Sequence, residues 1–181
     1  MLEKTKLEKL YQNAINHQII HDCSASPYES GERLVEFVER YQPERVLEIG
    51  TGCGYSAVLM ALASPQSEIL TIEKSNEHVL TAEQFLLANN VSDRVTVVND
   101  SAELLLPKLK QQFDFIFFDG FQIHYQFIFE YEKLLKKGGI LFLANNHLKS
   151  RTSDMFFEDL QDKRYWKILE QFAETTIVER S

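Results

Sequence analysis

The chain has 181 residues, 44% of them hydrophobic and 25% charged, with a formal net charge of −8. That length suits one domain, burying roughly 70% of its unfolded surface without disulfides or a structural metal. The acidic balance argues against extended binding to nucleic acid or anionic membrane, and 7 Gly with 4 Pro exclude a low-complexity linker protein.

Two cysteines, Cys23 and Cys53, make neither a disulfide framework nor a Cys-rich metal site. The N-terminus is charged from its third residue, so no secretory signal is expected. No apolar run approaches the roughly 20 residues that cross a bilayer. The expectation is a soluble cytoplasmic protein without a membrane partner.

Leu7, Leu10, Tyr11, Ala14, Ile15 and Ile19 fall at helical spacing and predict an amphipathic first helix. A second helix is expected over 28–41, stopped by Pro43. The chain then alternates: strand 45–49, helix 55–63, strand 68–73, helix 76–90, strand 94–99, helix 101–111, strand 113–118, helix 123–137, strand 140–144. Strands that are near-continuous apolar runs indicate a parallel sheet covered on both faces. A helix over 153–162 precedes two strand-like runs, 165–172 and 175–179, too close for a crossover and therefore an antiparallel hairpin. The whole chain, 1–181, reads as one α/β domain, with helices in 1–42 forming a cap or dimer surface and 43–181 a ligand-binding core.

Val46-Leu47-Glu48-Ile49 runs into Gly50-Thr51-Gly52-Cys53-Gly54 and then a helix. Glycines there permit unusual dihedrals and close approach of a ligand to the backbone. A dinucleotide fingerprint fails because the third glycine comes one residue early, and no Lys-Ser/Thr follows to make a phosphate loop. Glu73, Asp100 and Asp119 end the next three strands, surrounding the crevice where such sheets bind ligands. Each alone could be a helix cap; together they fit a nucleoside ligand with a cationic centre.

Residues 46–57 resemble the cofactor motif of class I S-adenosylmethionine-dependent methyltransferases, and more narrowly that of the catechol and caffeoyl-CoA O-methyltransferase group with its small bacterial members. The likeness continues through Leu70-Thr71-Ile72-Glu73, Asn99-Asp100-Ser101-Ala102, residues 113–119 and Leu134-Leu135 with Gly138-Gly139. It implies a Rossmann-like, doubly wound, mostly parallel sheet of seven strands. It also implies that Glu48, Gly50, Thr51, Gly52, Gly54 and Tyr55 belong to the cofactor site, with the glycines under the methionine and Ser56 bonding its carboxylate. Glu73 would take the ribose hydroxyls, Asp100 and Ser101 would lie at the adenine, and Asp119 would stand near the reacting centre. The implied reaction is O-methylation of a small aromatic, catechol-like acceptor. A tRNA nucleoside hydroxyl is the alternative acceptor, favoured by a folded cluster of Lys149, Arg151, Lys163, Arg164 and Lys167.

The family holds its acceptor with a divalent metal such as Mg²⁺, whose ligands fall here on Asp119, Asn145 and Asn146, with a basic Lys at the position of Gln122. An Asn in place of Asp removes much of the charge that holds a hard cation, and Gln cannot usefully accept a proton near neutral pH. Three readings stay open at this point. The metal binds weakly; or it is lost and His124 or His147 acts as base; or the chain binds cofactor without transferring a methyl group.

Overall fold

The computed structural model describes residues 2–21, 26–144 and 150–181, the His21 side chain excepted. Helix α1 (Lys4–His21) lays Leu7, Leu10 and Ala14 against the core, while Ile19 and Ile20 near its end stay exposed. Helix α2 (Gly31–Tyr41) starts at Gly31 rather than 28, because Tyr28 turns inward instead. Its hydroxyl lies 2.7 Å from Thr175 Oγ1, and its ring meets Phe117 and Phe142 edge-on.

The alternating segment yields β1 (Arg45–Ile49), α3 (Tyr55–Ala63), β2 (Glu68–Glu73), α4 (Asn76–Ala88), β3 (Val95–Asn99), α5 (Ala102–Leu105) and β4 (Phe113–Phe118). After these come α6 (Phe127–Leu134), β5 (Leu135–Leu143), α7 (Arg151–Asp159), β6 (Trp166–Phe172) and β7 (Thr175–Arg180). One seven-stranded sheet forms in the order β3-β2-β1-β4-β5-β7-β6. The first five strands pair in parallel, and β7 runs antiparallel between β5 and β6, as the short hairpin connection requires.

Alternation along each strand divides the core into two layers. Val46, Phe115, Phe117, Ile140, Phe142 and Ile177 pack with α1, α2 and α3; Leu47, Ile116, Phe118, Leu141, Leu143 and Val178 pack with α6 and α7. Most of the aromatic content is spent here. Helix α3 is buried almost all round, so it is held by packing on both sides rather than by one amphipathic stripe.

Two expected helices shorten. Pro107 ends α5 at Leu105 and leaves only a 3-10 turn, Leu106–Lys108. The helix expected to reach 137 stops at Leu134, and β5 begins at once with Leu135 beside Phe113. Lys136 and Lys137 are therefore strand residues, and Lys136 Nζ sits 2.6 Å from Asp114 Oδ1. No helix among the described residues is long and apolar enough to cross a membrane.

Candidate functional site

Strand order reverses between β1 and β4, so their connections leave in opposite directions and a crevice opens above their carboxyl ends. A cavity of about 500 Å³ occupies that position. Its floor is the turn after β1. Gly50 adopts φ +92°, and a Cβ built there would fall 2.6 Å from the Asp119 carbonyl oxygen. At φ +87°, Gly54 opens α3, where a Cβ would lie 3.2 Å from the Ala82 backbone. Conformation disfavours a side chain at both positions, and at Gly50 space excludes one as well.

Acids at the ends of three adjacent strands open into this cavity: Glu73 from β2, Asp100 after β3 and Asp119 after β4. Glu73 is fixed from behind, accepting the Gly52 N–H at 3.0 Å and the Ser75 N–H at 2.8 Å. His78 Nδ1 lies 3.7 Å from the same carboxylate. Asp100 accepts the N–H of Ser101 at 2.8 Å. Asp119 lies deep in the molecule, and the surface it exposes belongs to the cavity. Burial first, and the nearby Glu48 carboxyl second, push its own carboxyl well above the usual range.

Glu48 is fully buried behind the cavity wall. It accepts the Ser56 hydroxyl at 2.5 Å and the Thr71 hydroxyl at 2.5 Å, while Thr51 Oγ1 lies 2.5 Å from Thr71 Oγ1. With the Thr71 proton committed to Glu48, Thr51 must be the donor in that last bond. Burial outweighs these donors and raises the Glu48 carboxyl from 4.5 to about 7. An acid whose folded value is raised binds more protons folded than unfolded, so its contribution to stability is full below about pH 4.5 and declines up to about pH 7. Glu48→Gln removes that slope. The unfolding free energies of wild type and variant, measured by urea denaturation at pH 5 and pH 8, are expected to converge or cross by about 2 to 3 kcal/mol as pH rises.

The structure brings Gly50, Thr51, Gly52, Tyr55, Ser56, Glu73, Asp100, Ser101, Asp119 and Gln122 to the wall of one cavity. Glu48 and Gly54 stand behind it. Asn145, Asn146 and His147 lie outside the described residues, as do Cys23 and Lys149. Lining residues that escaped sequence reasoning as site residues include Tyr28, His78 and Glu103. Glu103 had a signal, three positions past Asp100 in the first turn of α5. Tyr28 had none, because its place depends on a linker folding back across β4 and β5. The basic residues that would favour tRNA are partly neutralised. Arg164 pairs with Asp162 at 2.6 Å, and Lys167 lies 3.9 Å from Glu179.

A divalent metal suits this donor set poorly. Among the described residues no three His, Cys, Asp or Glu side chains group as metal ligands. Asp119 is the one carboxylate in the expected set, its two Asn companions offer only neutral amide oxygens, and Gln122 brings another neutral amide.

A family profile described as O-methyltransferase matches residues 2–178. A catechol O-methyltransferase from Sus scrofa is 35% identical over 125 residues, covering 64% of this chain and 67% of that one. Catechol O-methyltransferase B from Danio rerio is 32% identical over 148 residues, covering 77% of this chain and 55% of the relative. The chain belongs to the O-methyltransferase family. It spans about half the length of the curated relatives from Danio rerio and Mus musculus that it matches. Among solved structures, an O-methyltransferase from Bacillus cereus in complex with SAH superposes with a TM-score of 0.79 at 22% identity, covering 99% of this chain and 93% of that chain. The O-methyltransferase TomG from Streptomyces achromogenes, in complex with SAM, gives 0.79 at 22% identity, covering 99% and 91%. At that identity the likeness speaks for the fold.

Proposed function

We propose that this chain transfers a methyl group from S-adenosylmethionine to a hydroxyl of a small, catechol-like aromatic acceptor. The observation that carries the reading is the set of three strand-end acids opening into one cavity beside the glycine turn. A sulfonium and an ammonium on one ligand suit an acidic wall, as a pyrophosphate would not.

Glu73, held by two backbone N–H groups, keeps lone pairs for the ribose hydroxyls, and Asp100 with Ser101 borders the nucleobase. The methionine lies over Gly50 and Gly52. Its carboxylate goes to the unpaired N–H groups that open α3, a position the helix dipole favours. Ser56 changes role relative to the family's pattern. Its proton points to Glu48, so its oxygen has lone pairs left for the cofactor ammonium.

In the transfer step an acceptor oxygen attacks the methyl carbon in line with the C–S bond. That bond breaks, its electron pair stays on sulfur, and the sulfonium becomes a neutral thioether. Asp119, ionised while the sulfonium stands beside it, takes the acceptor's hydroxyl proton as that positive charge is lost, when burial again favours the protonated carboxyl. Gln122 supplies an amide to orient the acceptor. Proximity in a cleft that sheds water accounts for most of the acceleration.

The test is calorimetric titration with S-adenosylhomocysteine, followed by transfer of labelled methyl to catechols, simple phenols and unmodified tRNA. Micromolar binding and label on a catechol are expected. No binding at high micromolar concentration overturns the cofactor; label on tRNA alone overturns the acceptor.

A further inference from the structure

With the nucleobase at Asp100, the ribose at Glu73 and the methionine over Gly50, the proposed cofactor takes the β3, β2 and β1 stretch of the carboxyl edge. That leaves the β4 side to the acceptor. Tyr28 lines the cavity there, close enough to Asp119 for the two to interact electrostatically. Its ring stands edge-on to Phe117 of β4 at 5.6 Å and to Phe142 of β5 at 5.9 Å. Its hydroxyl lies 2.7 Å from Thr175 Oγ1, on β7. The neighbouring Thr176 pairs with Leu143 at the end of β5, so this contact falls on the sheet's carboxyl edge. Tyr28 is a bar laid across the ends of β4, β5 and β7.

Building on the transfer reaction above, we propose that Tyr28 sets the depth of the acceptor end and restricts the acceptor to a single aromatic ring. A larger guest cannot push it aside cheaply. Moving the ring gives up two edge-on aromatic contacts and a buried hydrogen bond together. An extra ring forced against such a wall is overpacking, which close-packed interiors resist. Phe121 is the rival for this task, since it also lines the cavity. It is 78% exposed, however, so its side chain can change rotamer into solvent and does not reject a guest by size.

The experiment measures kcat/KM for transfer of labelled methyl to catechol and to its two-ring counterpart, 2,3-dihydroxynaphthalene, on the full chain. Calorimetry with S-adenosylhomocysteine is the control for folding. Wild type is expected to favour catechol by at least about fiftyfold. In Tyr28→Leu that ratio is expected to fall by about tenfold or more, through a gain on the larger diol, while S-adenosylhomocysteine affinity holds within about threefold. Tyr28→Phe keeps the ring and should stay near wild type, and Phe121→Ala should weaken both diols alike. Where Tyr28→Leu unfolds, Tyr28→Met takes its place, with the same direction expected. A purely structural role lowers transfer to both diols together and leaves the ratio unmoved. An unmoved ratio in the Leu or Met variant, or equal kcat/KM for the two diols in wild type, overturns the assignment while leaving transfer to catechols standing. Wild type that binds S-adenosylhomocysteine yet labels neither diol overturns the acceptor, and this assignment with it.

Discussion

Asp119→Asn is expected to weaken S-adenosylmethionine binding by about two orders of magnitude at pH 8, and S-adenosylhomocysteine binding by clearly less. Calorimetry with both ligands reads the difference. The substitution keeps the shape of the side chain and removes its charge. In the empty cavity that charge is disfavoured, by burial first and by Glu48 second. A sulfonium nearby reverses the balance, because a cation in a low-dielectric site favours the ionised carboxylate. Binding should therefore drive a proton off the acidic wall. The sign follows: a ligand that needs the ionised form binds more tightly as pH rises through the raised value, and more weakly below it. Equal weakening of the two ligands by Asp119→Asn would place the carboxylate away from the sulfonium and remove it from the reacting centre.

Gly50→Ala is expected to lower stability by about 3 kcal/mol and to abolish cofactor binding. Two costs combine. An L side chain at φ +92° is strained, and the added carbon falls 2.6 Å from the Asp119 carbonyl oxygen, so backbone must move at the end of β4. For a chain of this size the melting temperature should drop by roughly 9 °C. Thermal unfolding with and without S-adenosylhomocysteine checks both parts. A variant that melts like wild type and still gains stability from the ligand would mean the turn can relax, and that its glycine is not there for space.

The glycine turn and the strand-end acids were legible in the sequence because each is a local pattern. A strand running into closely spaced glycines fixes where the ligand approaches, and an acid closing an apolar run marks the sheet's carboxyl edge. The hairpin was legible from length alone, since Ala173-Glu174 leaves no room for a crossover. Helix ends were harder. Residues 123–137 carry a helical apolar spacing and a closing glycine pair, but register decides where β5 starts. Leu135 must reach Phe113 across the sheet, and the ladder captures Lys136 and Lys137 before the glycines arrive. Tyr28 illustrates the other limit. Helical spacing assigned it to α2, whereas its partners, Phe117, Phe142 and Thr175, lie far along the chain. Pairings of that kind are tertiary and leave no periodic trace. For the acceptor side, the expected contributions of Asn145, Asn146 and His147 rest on sequence alone.

The division of the core into two layers has a further consequence. The sheet is a partition, and its two hydrophobic compartments share few atoms except through the strands themselves. A ligand touching Tyr28 on one side and Phe127 on the other is a rivet through that partition. Its free energy of binding is then not credited to either compartment but to keeping both attached to the same strand ends, so the occupied protein should unfold as a more nearly single unit than the empty one.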